Sequence, residues 1–138
     1  MEENKKLSWL RTILLVKVVA CLFLWGLPML IGPPALFEFL GLTMPEDTAY
    51  LRTFGAIVTA IGYLYWSAYK DPVKNVAIIK YAILDNGLAA LTLGVITFTG
   101  KGNWMFTMSA VFALLVFFAF ILLFPREELE YKEEVVAS

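Results

Sequence analysis

Residues 71–99 read DPVKNVAIIKYAILDNGLAALTLGVITFT. Apolar over most of its length, this stretch still carries Lys80 near its start and Asp85-Asn86 near its middle. From Val76 onward it reaches the ~20 residues an α-helix needs to cross the hydrocarbon core of a bilayer. A carboxylate halfway along such a helix is costly unless a partner or water satisfies it. Asp85 therefore needs an explanation, and the rest of the chain has to supply it.

Working outward, three further stretches have membrane-spanning length, and 60% of the 138 residues are hydrophobic. The expected fold is an all-α membrane protein, an antiparallel bundle of four transmembrane helices in a single domain covering residues 1–138. The first helix takes about residues 9–31, the second 45–69, the third 72–99 and the fourth 104–124. Residues 33–41, too short to span, form an interfacial helical segment. Residues 125–138 form an acidic tail. The opening run imitates a signal peptide, but it is long enough to span, and Lys17 interrupts it where a signal would be purely apolar.

Punctuation residues set these bounds. Pro28 and Gly32-Pro33-Pro34 bend or stop the first helix. Pro34 suits the first turn of the interfacial segment and Gly41 its C-terminal cap. Thr43-Met44-Pro45-Glu46 has capping-box spacing and starts the second helix near Pro45. Asp71-Pro72 makes a tight turn into the third, so the second and third are expected as antiparallel neighbours. Asn103 is placed to cap the fourth. Gly55, Thr59 and Gly62 form a small-residue stripe that lets helices approach closely, as ordinary bundle packing.

Charge placement gives an orientation. Nine of the eleven lysines and arginines fall on the side of the N-terminus, the 71–72 turn and the C-terminus, and only Arg52 and Lys101 on the other. The positive-inside rule then puts both termini of this multi-pass protein in the cytoplasm. It also converts spacing into depth. At 1.5 Å per residue, Lys17 lies ~12 Å inside along the first helix and Asp85 ~14 Å inside along the third. Opposite charges at matching depth point to an interhelical ion pair, completed by Asn86 or a tyrosine.

The same band holds Tyr63, Tyr65 and Tyr81. Lys17, Tyr63, Tyr65, Tyr81, Asp85 and Asn86 could line a cytoplasmic-side ligand pocket. The same residues also read as an ion pair flanked by interfacial tyrosines, with no ligand at all. Glu38 and Arg52 could pair across the far loop. Thr92, Thr97 and Thr99 can each bond back to their own helix.

Several functions are excluded by what the sequence lacks. There is no histidine, and the one cysteine, Cys21, has no partner for a disulfide or CxxC pair. No metal cluster, phosphate-cradling glycine loop or nucleophile–base arrangement occurs. A net charge of −1 with both signs dispersed gives no nucleic-acid footprint. No cofactor is implied.

The stretch LGLTMPEDTAYLRTFGAIVTAIGYLYWSAYKDPVKN resembles the small four-helix membrane proteins of the DoxX-like and BphX-like type. The likeness lies in an LG-x-x-x-P junction at Leu40, Gly41 and Pro45, then LR-x-x-G at Leu51, Arg52 and Gly55, then the Asp71-Pro72 turn. It covers the central third of the chain, and because these relatives are mostly prokaryotic it implies a place in a prokaryotic inner membrane. It implies an antiparallel four-helix bundle, with some relatives associated with quinone-linked oxidoreductases or degradative operons, and it implies no catalytic residue. Small multidrug transporters resemble the chain in architecture only, since Lys17 stands where their first helix carries a glutamate.

Three functions remain open. One is a non-enzymatic accessory subunit or binder of a lipid-like or quinone-like ligand, with the bilayer and a membrane-complex partner or further copies as its company. A second is a homo-oligomeric transporter using Lys17 and Asp85. A third is a membrane enzyme using Asp85 with a tyrosine. Solvent access discriminates: a sealed Lys17–Asp85 pair is structural, whereas a pair lining an open cleft favours binding or transport.

Overall fold

The computed structural model describes residues 2–126 and residue 136. The acidic tail from 127 on, with Lys132, thus lies almost wholly outside the described residues. Within them the chain is helical throughout, with no strand. The order is α1 (Glu2–Val19), a π-helical turn (Ala20–Gly26), α2 (Leu27–Ile31), α3 (Pro34–Phe39), α4 (Ala49–Lys70), α5 (Val76–Phe98) and α6 (Trp104–Leu122). Three helices are long and apolar enough to cross a membrane: Asn4–Ile31, which runs unbroken through α1, the π turn and α2, then Val76–Phe98 and Trp104–Leu122. At 22 residues α4 has the length, but Arg52, Trp66 and four tyrosines over its span dilute its apolar character.

The first helix does not stop at Pro28. Proline lacks an N–H and its ring crowds the carbonyl four residues back. The preceding turn widens to π geometry, with the Leu27 N–H donating to Leu22 O five residues earlier. Widening makes room for the ring and lets the helix continue to Ile31. Gly32 then leaves the helical region at ψ 137°. Gly41, at φ +69°, caps α3 as its sequence position implies, and the Leu42 N–H donates to Phe37 O at 2.8 Å.

Two helix starts differ from expectation. The Thr43 capping box does not form, and α4 begins at Ala49 rather than near Pro45. Asp47 Oδ1 accepts from the Ala49 N–H at 2.9 Å, a local bond that holds the backbone in a turn and delays the helix. Asp71-Pro72 does make the tight connection, but α5 begins at Val76, not at Pro72. Asp71 Oδ1 accepts from the Lys74 N–H at 3.0 Å, so it caps a turn over residues 72–75 instead of the helix. Asn103 caps as expected, its Oδ1 accepting from the Met105 and Phe106 N–H groups. α6 itself closes at Leu122, two residues short of the expected end.

Packing reorders the expected neighbours. The first helix pairs with α4, and α5 pairs with α6, while α4 and α5 touch far less despite their short connection. Glycine explains the first pairing. A Cβ on Gly55 would overlap the backbone of Met29 and Leu30, and one on Gly26 would overlap Thr59 Oγ1 and the Cys21 carbonyl. Backbone-to-backbone approach at these two points draws the Gly55–Thr59–Gly62 stripe onto the first helix, and away from α5.

Burial is concentrated at one end. Leu10, Leu14, Tyr65, Ala68, Ile79, Ala82 and Phe120 are all fully buried and form one core with Val116 and Val18. They lie towards the N-terminus and the 71–75 turn. At the opposite end the link between the two helix pairs is local: Asn103 Nδ2 donates to Leu40 O at 3.1 Å and to Gly41 O at 2.8 Å, tying the 99–103 turn to the end of α3.

Candidate functional site

Lys17, Asp85 and Asn86 sit where the packed core ends and a cavity between the helices begins. Lys17 Nζ donates to Asn86 Oδ1 at 2.9 Å and lies 3.6 Å from Asp85 Oδ2. Tyr65 completes the group, its hydroxyl donating to Asp85 Oδ2 at 2.8 Å. Its ring face lies 5.0 Å from Lys17 Nζ, within cation–π range, and stacks on Phe120 at 6.3 Å. Asn86, fully buried, donates from Nδ2 to the Ala82 carbonyl at 2.7 Å. The ion pair read from matching depths is present, and Asn86 and a tyrosine both support it.

Local sequence explains the positions. Asp85 and Asn86 are adjacent on α5, so the carboxylate and the amide point about 100° apart and meet Lys17 from two directions. Lys17 lies one turn beyond Leu14, on the buried face of α1. Its flexible stem crosses a gap between α1 and α5 that their backbones do not close.

Of the two candidate tyrosines on α4, Tyr63 and Tyr65, the structure uses Tyr65 alone. Tyr63 is 69% exposed and takes no part in the site, which corrects its assignment to the pocket. Two residues apart on an α-helix is about 200°, so both cannot face one site. The signal was available: three residues on from Gly62, the small-residue stripe arrives at Tyr65. Tyr81 lines the site edge at 37% exposure.

Beyond the ion pair lies a cavity of about 450 Å³. It reaches Trp25 on the first helix, Phe54 and Val58 on α4, Leu93 on α5 and Ser109 on α6. Apart from Tyr81 and Leu84 at its edge, the lining residues on all four helices stand level with the polar cluster or on its opposite side from the packed core. The pocket is therefore not on the side of the chain termini, as the sequence implied, but on the far side of the cluster. The reason is steric. Leu10, Leu14, Ile79 and Phe120 fill the terminal side completely, whereas small residues at Ala20, Ala89 and Ala113 leave the other side open. α6, an almost unbroken apolar run, lines this cavity too.

A volume of this size, mostly apolar and with a few convergent polar groups, has the character of a small-molecule site. Asp85 and Lys17 are side by side on its floor, with side chains 27% and 10% exposed. No cluster of metal-ligating side chains occurs among the described residues.

The far loop holds a different arrangement from the one expected. Arg52 does not pair with Glu38, which is exposed. Its Nη1 donates to Met29 O at 3.1 Å and its Nη2 to Gly32 O at 3.0 Å. A cation placed on the last carbonyls of the first helix satisfies orphan acceptors and complements the dipole. Only the proximity of Gly55 to Leu30 brings it there, a tertiary fact without a local signature. Thr99 bonds back to Ile96 O at 3.0 Å, as expected, whereas Thr97 Oγ1 is buried with no hydrogen-bond partner and Thr92 lines the cavity.

No protein-family model, curated protein or solved structure matches the chain.

Proposed function

We propose that this chain is a non-enzymatic membrane protein that binds a lipid-like or quinone-like molecule in the cavity beyond Lys17 and Asp85. In this reading α4 is a fourth crossing, both termini are cytoplasmic, and the cavity opens on the outer half of the bundle. One observation carries the proposal: the ion pair forms the floor of an open apolar cavity instead of being sealed in packing. A pair needed only for structure gains nothing from 450 Å³ of adjoining space. The likeness of the central third to DoxX-like and BphX-like proteins agrees with a four-helix bundle of this kind. The packed layer of Leu10, Leu14, Ile79 and Phe120 blocks a polar path to the terminal side, which favours binding over transport.

The test is native mass spectrometry of protein extracted from membranes. Wild type is expected to retain a small hydrophobic adduct, and Ala89→Phe, which fills the cavity, to lose it while remaining folded. Wild-type protein that is free of any adduct, and that takes up none from added membrane lipid extract, would sink the proposal.

A further inference from the structure

The mouth of the cavity identifies the kind of molecule it takes. Phe54 on α4 and Leu84 and Leu88 on α5 all line the cavity, and each is more than half exposed, so the wall is open at these residues. They flank the gap between α4 and α5, the successive long helices that pack least. The opening is thus lateral and apolar-rimmed, at mid-helix, where a spanning bundle meets hydrocarbon and not water. A molecule entering there must be soluble in the bilayer, and a long tail could remain in the gap.

The floor selects the head. Lys17 and Asp85 sum to zero charge, so a charged head would meet a like charge in a poorly hydrated place. Asp85 Oδ1 has no hydrogen-bond partner among the described residues, while Oδ2 is taken by Tyr65. Lys17 Nζ, with three N–H groups, makes a single hydrogen bond, to Asn86. One acceptor and at least one donor are therefore unspent, side by side. A hydroxyl satisfies both at once, donating to the carboxylate and accepting from the ammonium.

We infer that the cavity takes an uncharged, single-chain amphiphile with a hydroxyl on its head, which enters head first from the bilayer between α4 and α5. This rests on the binding reading above and narrows it. Free fatty acids and alkylamines are excluded by charge, and alkanes gain no polar contact.

The test uses wild-type protein in lipid nanodiscs and four twelve-carbon probes: dodecanol, dodecanoate, dodecylamine and dodecane. Cys21 lines the cavity and is the chain's one cysteine, so its alkylation by N-ethylmaleimide reports occupancy. Native mass spectrometry of bound probe gives the same ranking if the thiol reacts too slowly. Dodecanol is expected to bind at least ~10-fold more tightly than the other three, the ratio that one hydrogen bond to a charged group supplies. Equal binding of dodecane overturns the head-group inference but leaves the cavity a site for apolar molecules. Stronger binding of dodecanoate or dodecylamine overturns it in the same way. Failure of all four by both readouts overturns the binding reading itself. Leu88→Trp at the mouth should slow the onset of dodecanol protection, and an unchanged rate overturns the lateral route.

Discussion

Tyr65 touches both members of the ion pair at once, giving its hydroxyl proton to Asp85 and offering its ring face to Lys17. The residue is fully buried, so neither contact is replaced by water when it is removed. Tyr65→Phe keeps the ring, the stacking on Phe120 and the cation–π contact, but leaves Asp85 Oδ2 short of one donor. A loss of about 1.5–3 kcal/mol is expected, the range for a hydrogen bond to a charged group. Tyr65→Leu should cost more, because the ring contacts go as well. Unfolding in mild detergent by denaturant titration would rank the two. Equal stability of the phenylalanine variant and wild type would show that the bond to Asp85 is not formed.

The ion pair itself is open to a double-mutant cycle. Lys17→Met leaves a carboxylate with only tyrosine support, and Asp85→Leu leaves an ammonium with only the Asn86 amide. Each single change is expected to destabilise by about 3 kcal/mol, since removing one partner strands the other charge. The double change should cost less than the two together, with a coupling of about 1–3 kcal/mol. Additive effects would mean that the 3.6 Å approach carries no energy.

The pairing was legible because depth along two helices follows from residue count alone, and opposite charges at one depth have few other solutions. Which tyrosine joins them was half legible: periodicity separates Tyr63 from Tyr65, but only the position of the first helix says which direction is inward. The side on which the cavity lies was not legible. It depends on how completely Leu10, Leu14, Ile79 and Phe120 fill the space between four helices, a sum of volumes from distant parts of the chain. Which helices pack most closely was not legible for a related reason. A short 71–75 turn makes α4 and α5 neighbours in sequence, whereas Gly26 and Gly55 decide the closer contact.

Those glycines give a third prediction. Gly55→Ala would put a methyl into the backbone of Met29 and Leu30, where no side chain can move aside. Separation of α4 from the first helix should destabilise by about 1–3 kcal/mol, the cost of overpacking a tight contact. Gly94, whose added Cβ would meet nothing within 4 Å, supplies the control. Gly94→Ala should be neutral or slightly stabilising through helix propensity. Thermal unfolding of the two variants in one detergent would decide, and equal melting temperatures would contradict the close approach.

The fourth crossing is testable by labelling. If α4 spans, Asp47 and Lys74 lie on opposite faces of the membrane, separated by a helix ~33 Å long. In a Cys21→Ala background, Asp47→Cys should react with an impermeant maleimide from outside the cell, and Lys74→Cys only after the membrane is opened. Labelling of both from the same side would place α4 along the interface and leave three crossings.

Arg52 supplies the last prediction. Its two hydrogen bonds close the end of the first helix on the Met29 and Gly32 carbonyls. Both carbonyls lie just past the proline that the π turn accommodates, and the residue four on from Met29 is Pro33, which has no N–H to donate. Arg52→Ala is expected to destabilise by about 1–3 kcal/mol and to fray residues 27–32, leaving the Lys17 site intact. Arg52→Lys keeps the charge but not the planar fork, and can reach one carbonyl at a time. It should therefore fall between alanine and wild type. Hydrogen exchange over residues 27–32, read by mass spectrometry, would separate the cap from a general loss of stability. Faster exchange confined to that stretch marks a cap, whereas uniform acceleration across α1 and α4 would mean that Arg52 acts on the whole bundle.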